Sequence, residues 1–270
     1  MGITNCDNLN KIEDAFGVEF THPAPVKSLT ERINAYTELQ AARPNPEELA
    51  NLLRTTDHSE WGTLLENWAP RLAMAEALKS ISHFRIAHEF QSDRANWIDV
   101  KRWHYLKQLP LSDTINEFVS AVNELGEDIH DANAAMLNGK GDAASRAHAA
   151  EAKLLSLREF NGIRGTNHAA FTAMIIAPPN LPTLYRRRAN DEWNIGTNPE
   201  NRAIEAAHRK AAEVRDRSVF GLRDTAAGNN NIPATENGVG VTFTLSAPDS
   251  EDDYLRRIDA WENLAIYRNR

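Results

Sequence analysis

The chain of 270 residues has a single cysteine, Cys6. One thiol cannot close an internal disulfide, so a disulfide-stapled scaffold is excluded, and a cysteine-rich zinc site goes with it. Long apolar runs are missing too: none approaches the ~18 residues that span a bilayer. The opening residues, MGITNCDNLNK, carry neither the positive n-region nor the apolar h-region of a secretory signal. Positive charge is in deficit. With 38 acidic and 30 basic side chains the net charge is -8, which argues against generic nucleic-acid binding through bulk charge. No G-x-x-x-x-G-K-S/T phosphate cradle, G-x-G-x-x-G fingerprint or G-x-S-x-G elbow occurs. The expectation is a globular protein of a reducing, cytoplasmic compartment, without membrane association. Its length suits one large domain or two small ones.

What is present is mostly helical periodicity, and the expected fold class is mainly α. A multi-helix bundle domain is expected over residues 1–162, and a looser helical region with an extended arm and a strand over 163–270. Leu9, Ile12 and Phe16 recur at helical spacing before Gly17, with Asp7 as the cap. Pro23 and Pro25 read as a stiff link, and Ser28-Leu29-Thr30-Glu31 as a capping box. Asn45-Pro46-Glu47-Glu48 carries cap, N1 proline and first-turn acids in order. Asp57 repeats the cap before Trp61, Leu64, Leu65 and Trp68, and Pro70 predicts a kink or restart. From Leu72 to Leu106 the apolar pattern is nearly continuous, with a break expected at Gln91-Ser92-Asp93. One helix is predicted over 113–137, carrying Ile115, Phe118, Val122, Leu125 and Ile129, which should bury together against the 70–107 stripe. A further helix follows Asp142.

After residue 162 prolines interrupt the chain. A helix is predicted from Asn198-Pro199-Glu200 to about Arg217, with Ala207, Ala211, Ile204 and Val214 on its inner face. Residues 223–238 read as a polar arm. In 239–245, Val239, Val241, Phe243 and Leu245 alternate with polar or small residues as in a strand, and Ser250 caps a last helix holding Leu255, Ile258, Trp261 and Leu264. The strand needs a partner for its backbone groups. Two partners are open: Val219-Phe220-Gly221-Leu222 within the chain, or another chain.

Metal chemistry is the sharpest catalytic alternative. Glu127-x-x-His130 and Glu205-x-x-His208 have the spacing of a di-iron bundle site, with Glu89 and Glu151 as further carboxylates. His130-Asp131 also spells the centre of a metal-dependent phosphohydrolase, with His88, His104 and Asp191 as possible companions. Helical counting argues against both. On one helix over 113–137, Glu127 lies about 140° and Asp131 about 180° from the core face, and Glu205 lies about 145° from the Ala207/Ala211 face. No cofactor and no metal are therefore expected. Two basic zones offer a nucleic-acid alternative: Lys101 to Lys107, with Trp103 and Tyr105, and Arg186, Arg187 and Arg188 followed by Arg202, Arg209, Lys210, Arg215 and Arg217. The leading expectation is a non-enzymatic interaction or assembly subunit, of a virion or other multi-subunit particle, that binds protein partners and associates with itself. Its expected contact residues are Val239, Val241, Phe243 and Leu245 with Arg186, Arg187 and Arg188.

Overall fold

The computed structural model describes residues 4–41, 45–80, 83–161, 168–181, 199–218, 221–234 and 240–264. The fold is mainly α, with thirteen α-helices and two short strands among these residues. The chain divides into two compact units. One is residues 21–101; the other joins residues 2–20 to 102–270. The boundary expected at residue 162 thus falls inside the second unit.

The first unit holds α2 (Ala24–Ala41), α3 (Pro46–Thr55), α4 (Trp61–Ser80) and α5 (His83–Val100), after α1 of the second unit in chain order. Helix α2 begins four residues before the expected capping box. Pro25 fits its first turn, where a missing N–H costs nothing. Helix α3 starts as predicted: the Asn45 side chain accepts from the Glu47 N–H at 3.0 Å. Asp57 accepts from the Ser59 N–H at 2.9 Å and opens a 3-10 turn that leads into α4. Pro70 stays within continuous α4, so the chain does not restart there, and α5 runs unbroken through 91–93 without the expected break. Helices α2 and α5 pack on each other, burying Val26, Ile33, Ala95 and Ile98.

In the second unit, α1 (Thr4–Phe16) buries Leu9, Ile12 and Phe16 and stops at Gly17, whose φ of 67° suits a residue without Cβ. Asp7 lies inside this helix rather than at its cap. Phe20 meets Tyr105 edge-on at 5.2 Å and Phe160 at 6.4 Å. The helices that follow are α6 (Arg102–Leu106), α7 (Leu111–Leu125), α8 (Ala132–Leu137) and α9 (Gly141–Ser156). Ile115, Phe118, Val122, Leu125 and Ile129 are all buried, as expected, but the main partner of α7 is α9. The single helix expected over 113–137 is broken. Gly126 takes φ 58°, a 3-10 turn covers 126–128, and α8 restarts under an Asp131 cap.

Helix α10 (His168–Ile175) is buried from Ala169 to Ile175 and runs into β1 (Ile176–Ala177). It packs on α11 (Pro199–Arg217) and on α13 (Glu251–Asn263). Ile204, Ala207, Ala211 and Val214 form the inner face of α11, as their spacing predicts. Between them lie α12 (Leu222–Ala226) and β2 (Thr244–Leu245). In α13 the Ser250 cap is present, accepting from the Asp253 N–H at 3.1 Å. Tyr254, Arg257 and Trp261 face inward, whereas Leu255 is 51% exposed and leaves the expected stripe. The Trp261 indole donates to the Ile176 carbonyl at 3.2 Å, and Arg215 donates to the Trp261 carbonyl at 3.0 Å.

Candidate functional site

The strand over 239–245 finds its partner inside the chain, at a place neither alternative named. Strand β2 pairs antiparallel with β1, Leu245 opposite Ile176 and Thr244 opposite Ala177. Val241 and Ile232 exchange two backbone hydrogen bonds of 2.8 Å, and the Asn231 side chain accepts from the Phe243 N–H at 2.9 Å. Val241, Phe243 and Leu245 are 2%, 3% and 8% exposed. These three expected contact residues are therefore core, and the unmatched edge inferred for them is corrected: Val241 is bonded to Ile232, the Phe243 N–H to Asn231, and the Ser246 N–H to the Ile175 carbonyl in the strand pair. The polar arm is likewise folded over 223–234, where α12 is followed by turns through Gly228 and Asn231. Val239, Arg186, Arg187, Arg188 and the proposed Val219-Phe220 partner lie outside the described residues.

Among the described residues the metal-ligand set is not brought together either; Asp191 lies outside them. Asp131 spends its carboxylate on the N–H groups of Asn133 and Ala134, 2.9 Å each. Glu127 is exposed in the 3-10 turn. Glu205 pairs with Arg209 at 3.2 Å, and His208 is half-buried on α11. Glu151 pairs with Arg223 at 2.7 Å. Among the described residues no three His, Cys, Asp or Glu side chains form a group that could hold a metal ion. The helical counting from Val122 to Glu127 and His130 also loses its basis, because Gly126 ends the helix between them.

The α11 basic zone is charge-balanced locally. Arg217 and Lys210 both reach Glu213, at 3.1 and 3.7 Å, and Arg215 is buried against Asp216 at 2.8 Å. Trp103 stacks on Tyr254 with ring centroids 6.3 Å apart, and Tyr105 is buried, so neither ring is presented to a base. No helix of the described residues is long and apolar enough to cross a membrane.

Two features of the described residues offer contacts to a ligand or partner. The first lies in the first unit. Trp61, Leu65, Ala69 and Ala73 recur every four residues along α4, which makes them neighbours in one row, and all four are exposed. Trp61 and Leu65 are 43% and 45% exposed, large values for such side chains. Trp68, on the adjoining strip, is buried and covered by the Arg71 guanidinium 4.8 Å above its ring. The leucines of α3, Leu49, Leu52 and Leu53, are only half-buried.

The second is a polar cleft in the second unit, with a volume of about 190 Å³. Helix α11 supplies Glu213, Val214 and Arg217; Gly221, Asp224 and Thr225 come from the start and body of α12, and Asn230 from the turn after it. His130 stands behind Asp224, its Nε2 2.9 Å from Asp224 Oδ1, and Asn229 donates to the same oxygen at 3.2 Å. Burial pushes the Asp224 carboxyl up, but the hydrogen bonds from His130 and Asn229 and the fields of His130 and Lys210 outweigh it. The group is held below the usual carboxylate range. Arg223, next along the chain, ties the same corner with 2.7 Å contacts to Glu151 and to the Ile129 carbonyl. The partnership of His130 with Asp224 spans 94 residues and has no local signature in sequence.

No protein-family model, curated protein or solved structure matches the chain.

Proposed function

We propose that the chain is a non-enzymatic interaction or assembly subunit, and that its contact surface is α4 rather than residues 239–245. The carrying observation is the exposed row Trp61, Leu65, Ala69 and Ala73. An isolated exposed leucine needs no explanation, but a contiguous row that includes a tryptophan is the composition of an interface centre. Glu66 is exposed on the flank of this row beside Ala69 and Ala73, so a partner helix is expected to bring a basic side chain to that rim. The partner is a polypeptide, a second copy of this chain included. Such a subunit would work in a reducing compartment, alone or built into a particle such as a virion. The metal-enzyme alternative draws no support from residues already engaged elsewhere, and the nucleic-acid alternative none from a charge-balanced α11.

The test places a photoreactive leucine analogue at position 65 of the full chain in the producing cell, with a control at Thr63 on the opposite side of α4. One discrete cross-linked product from position 65, absent from position 63, is the expected result, and its mass identifies self-association or a second protein. Equal or absent products from both positions overturn the reading.

A further inference from the structure

We propose that the α11–α12 cleft binds a small zwitterion, a ligand of amino-acid size that carries one ammonium and one carboxylate. The cleft belongs wholly to the second unit, so this inference does not depend on the α4 surface.

Size sets the first limit. A volume of about 190 Å³ corresponds to roughly six waters at ~30 Å³ each. It falls short of the ~300 Å³ at which drug-sized pockets begin. Chemistry sets the second. Val214 is the one apolar side chain among the described lining residues, so an apolar ligand would gain little. Thr225 Oγ1 donates to the Gly221 carbonyl and accepts from Asn230 Nδ2, both at 2.9 Å. This fixes the Asn230 amide, and its Oδ1 receives no hydrogen bond from the described residues. Asp224 uses Oδ1 for His130 and Asn229, and its Oδ2 has no such partner either. Two acceptor oxygens, one of them charged, therefore suit an ammonium.

The cation at the wall decides between a plain amine and a zwitterion. Arg217 spends Nη1 on Glu213, and its side chain is otherwise 73% exposed, leaving guanidinium donors for a carboxylate. Glu213 is already paired with Arg217, which leaves the free Asp224 oxygen and the remaining Arg217 donors as the two sites of opposite sign. A ligand with both charges meets both. Asp224 stays ionised at neutral pH, as the ammonium requires.

The experiment titrates the full chain with common L-amino acids one at a time, followed by calorimetry and by ligand-observed NMR, with acetate and methylammonium as single-charge probes. At least one amino acid is expected to bind saturably and about tenfold tighter than either probe, a difference of about 1.4 kcal/mol. Arg217→Gln is expected to weaken that binding at least about fivefold without moving the melting temperature, because the side chain lies at the surface. Asp224→Asn removes the ammonium partner and should weaken it further. Since this variant also loosens the contact with His130, its melting curve is recorded beside the titration. The proposal is overturned if no amino acid binds tighter than the single-charge probes, or if Arg217→Gln leaves the affinity unchanged.

Discussion

Helices α4 and α7 both carry aromatic anchors, yet the chain uses them differently. In α7 the apolar positions are consumed: Phe118 is 0% exposed, and its neighbours close against α9. In α4 one strip holds the buried Trp68, while the adjoining row leaves Trp61 and Leu65 nearly half open. Periodicity gathers the apolar positions of α7 on one face, whereas those of α4 are only weakly segregated. An apolar side chain reports that surface is available for burial, and not that the chain itself supplies the cover.

The largest test of this contrast is truncation. Phe118→Ala should destabilise the second unit by about 3–5 kcal/mol in a denaturant titration, because the cavity lies in a closed core. Leu65→Ala in α4 should stay within about 0.5 kcal/mol. Similar losses at the two sites would mean that the α4 row is ordinary core. Helix caps sharpen the comparison at smaller scale. Ser250→Ala should cost about 1 kcal/mol and shift the unfolding midpoint, since α13 carries Trp261 into the core. Asn45→Ala removes an equivalent cap from half-buried α3. It should raise amide exchange over 46–55 about fivefold while leaving the midpoint in place.

The smallest effect is acid sensitivity. Burial raises the Asp253 carboxyl, but hydrogen bonds from Arg256 and the Asp249 N–H, with Arg257, hold it low; Asp224 is held low as described above. A carboxyl with a depressed folded-state pKa contributes stability above its unfolded value of about 3.9, and that contribution disappears as pH falls through the folded value. The second unit should therefore weaken below about pH 4, and Asp224→Asn and Asp253→Asn should each flatten that limb of the stability curve. A limb unchanged in both variants would place the acid-labile groups elsewhere.

Some starts of elements were legible in the sequence, although Asp7 and the Ser28 box do not cap their helices. Asn45-Pro46-Glu47 and Ser250 through Asp253 are local chemistry, complete within four residues, and both caps form. The break at Gly126 was hidden because Leu125 and Ile129 preserve an apolar spacing across it. Only the positive φ separates a helix interior from its end. Helix α10 was missed for the opposite reason. Ala169 to Ile175 are nearly all apolar and all buried, so no amphipathic period marks them. The partner of β2, Ile176 for Leu245, and the contact between His130 and Asp224 lie 69 and 94 residues away in sequence, beyond any local pattern. Pairing logic demanded that the strand be satisfied, but gave no address.

The second unit is discontinuous: residues 21–101 are inserted between Phe20 and Arg102. This imposes a timetable on synthesis. Phe20 emerges long before Phe160, its aromatic neighbour, and the interval is about 7–30 s at 5–20 residues per second. Tyr105 can meet Phe20 before then, but Leu9, Ile12 and Phe16 of α1 wait for α9 and the turn over 157–161. The inserted unit, by contrast, has all its sequence at hand as soon as Lys101 has left the exit tunnel. A nascent chain is thus expected to fold its middle before its beginning, and to need shelter for α1 in the meantime.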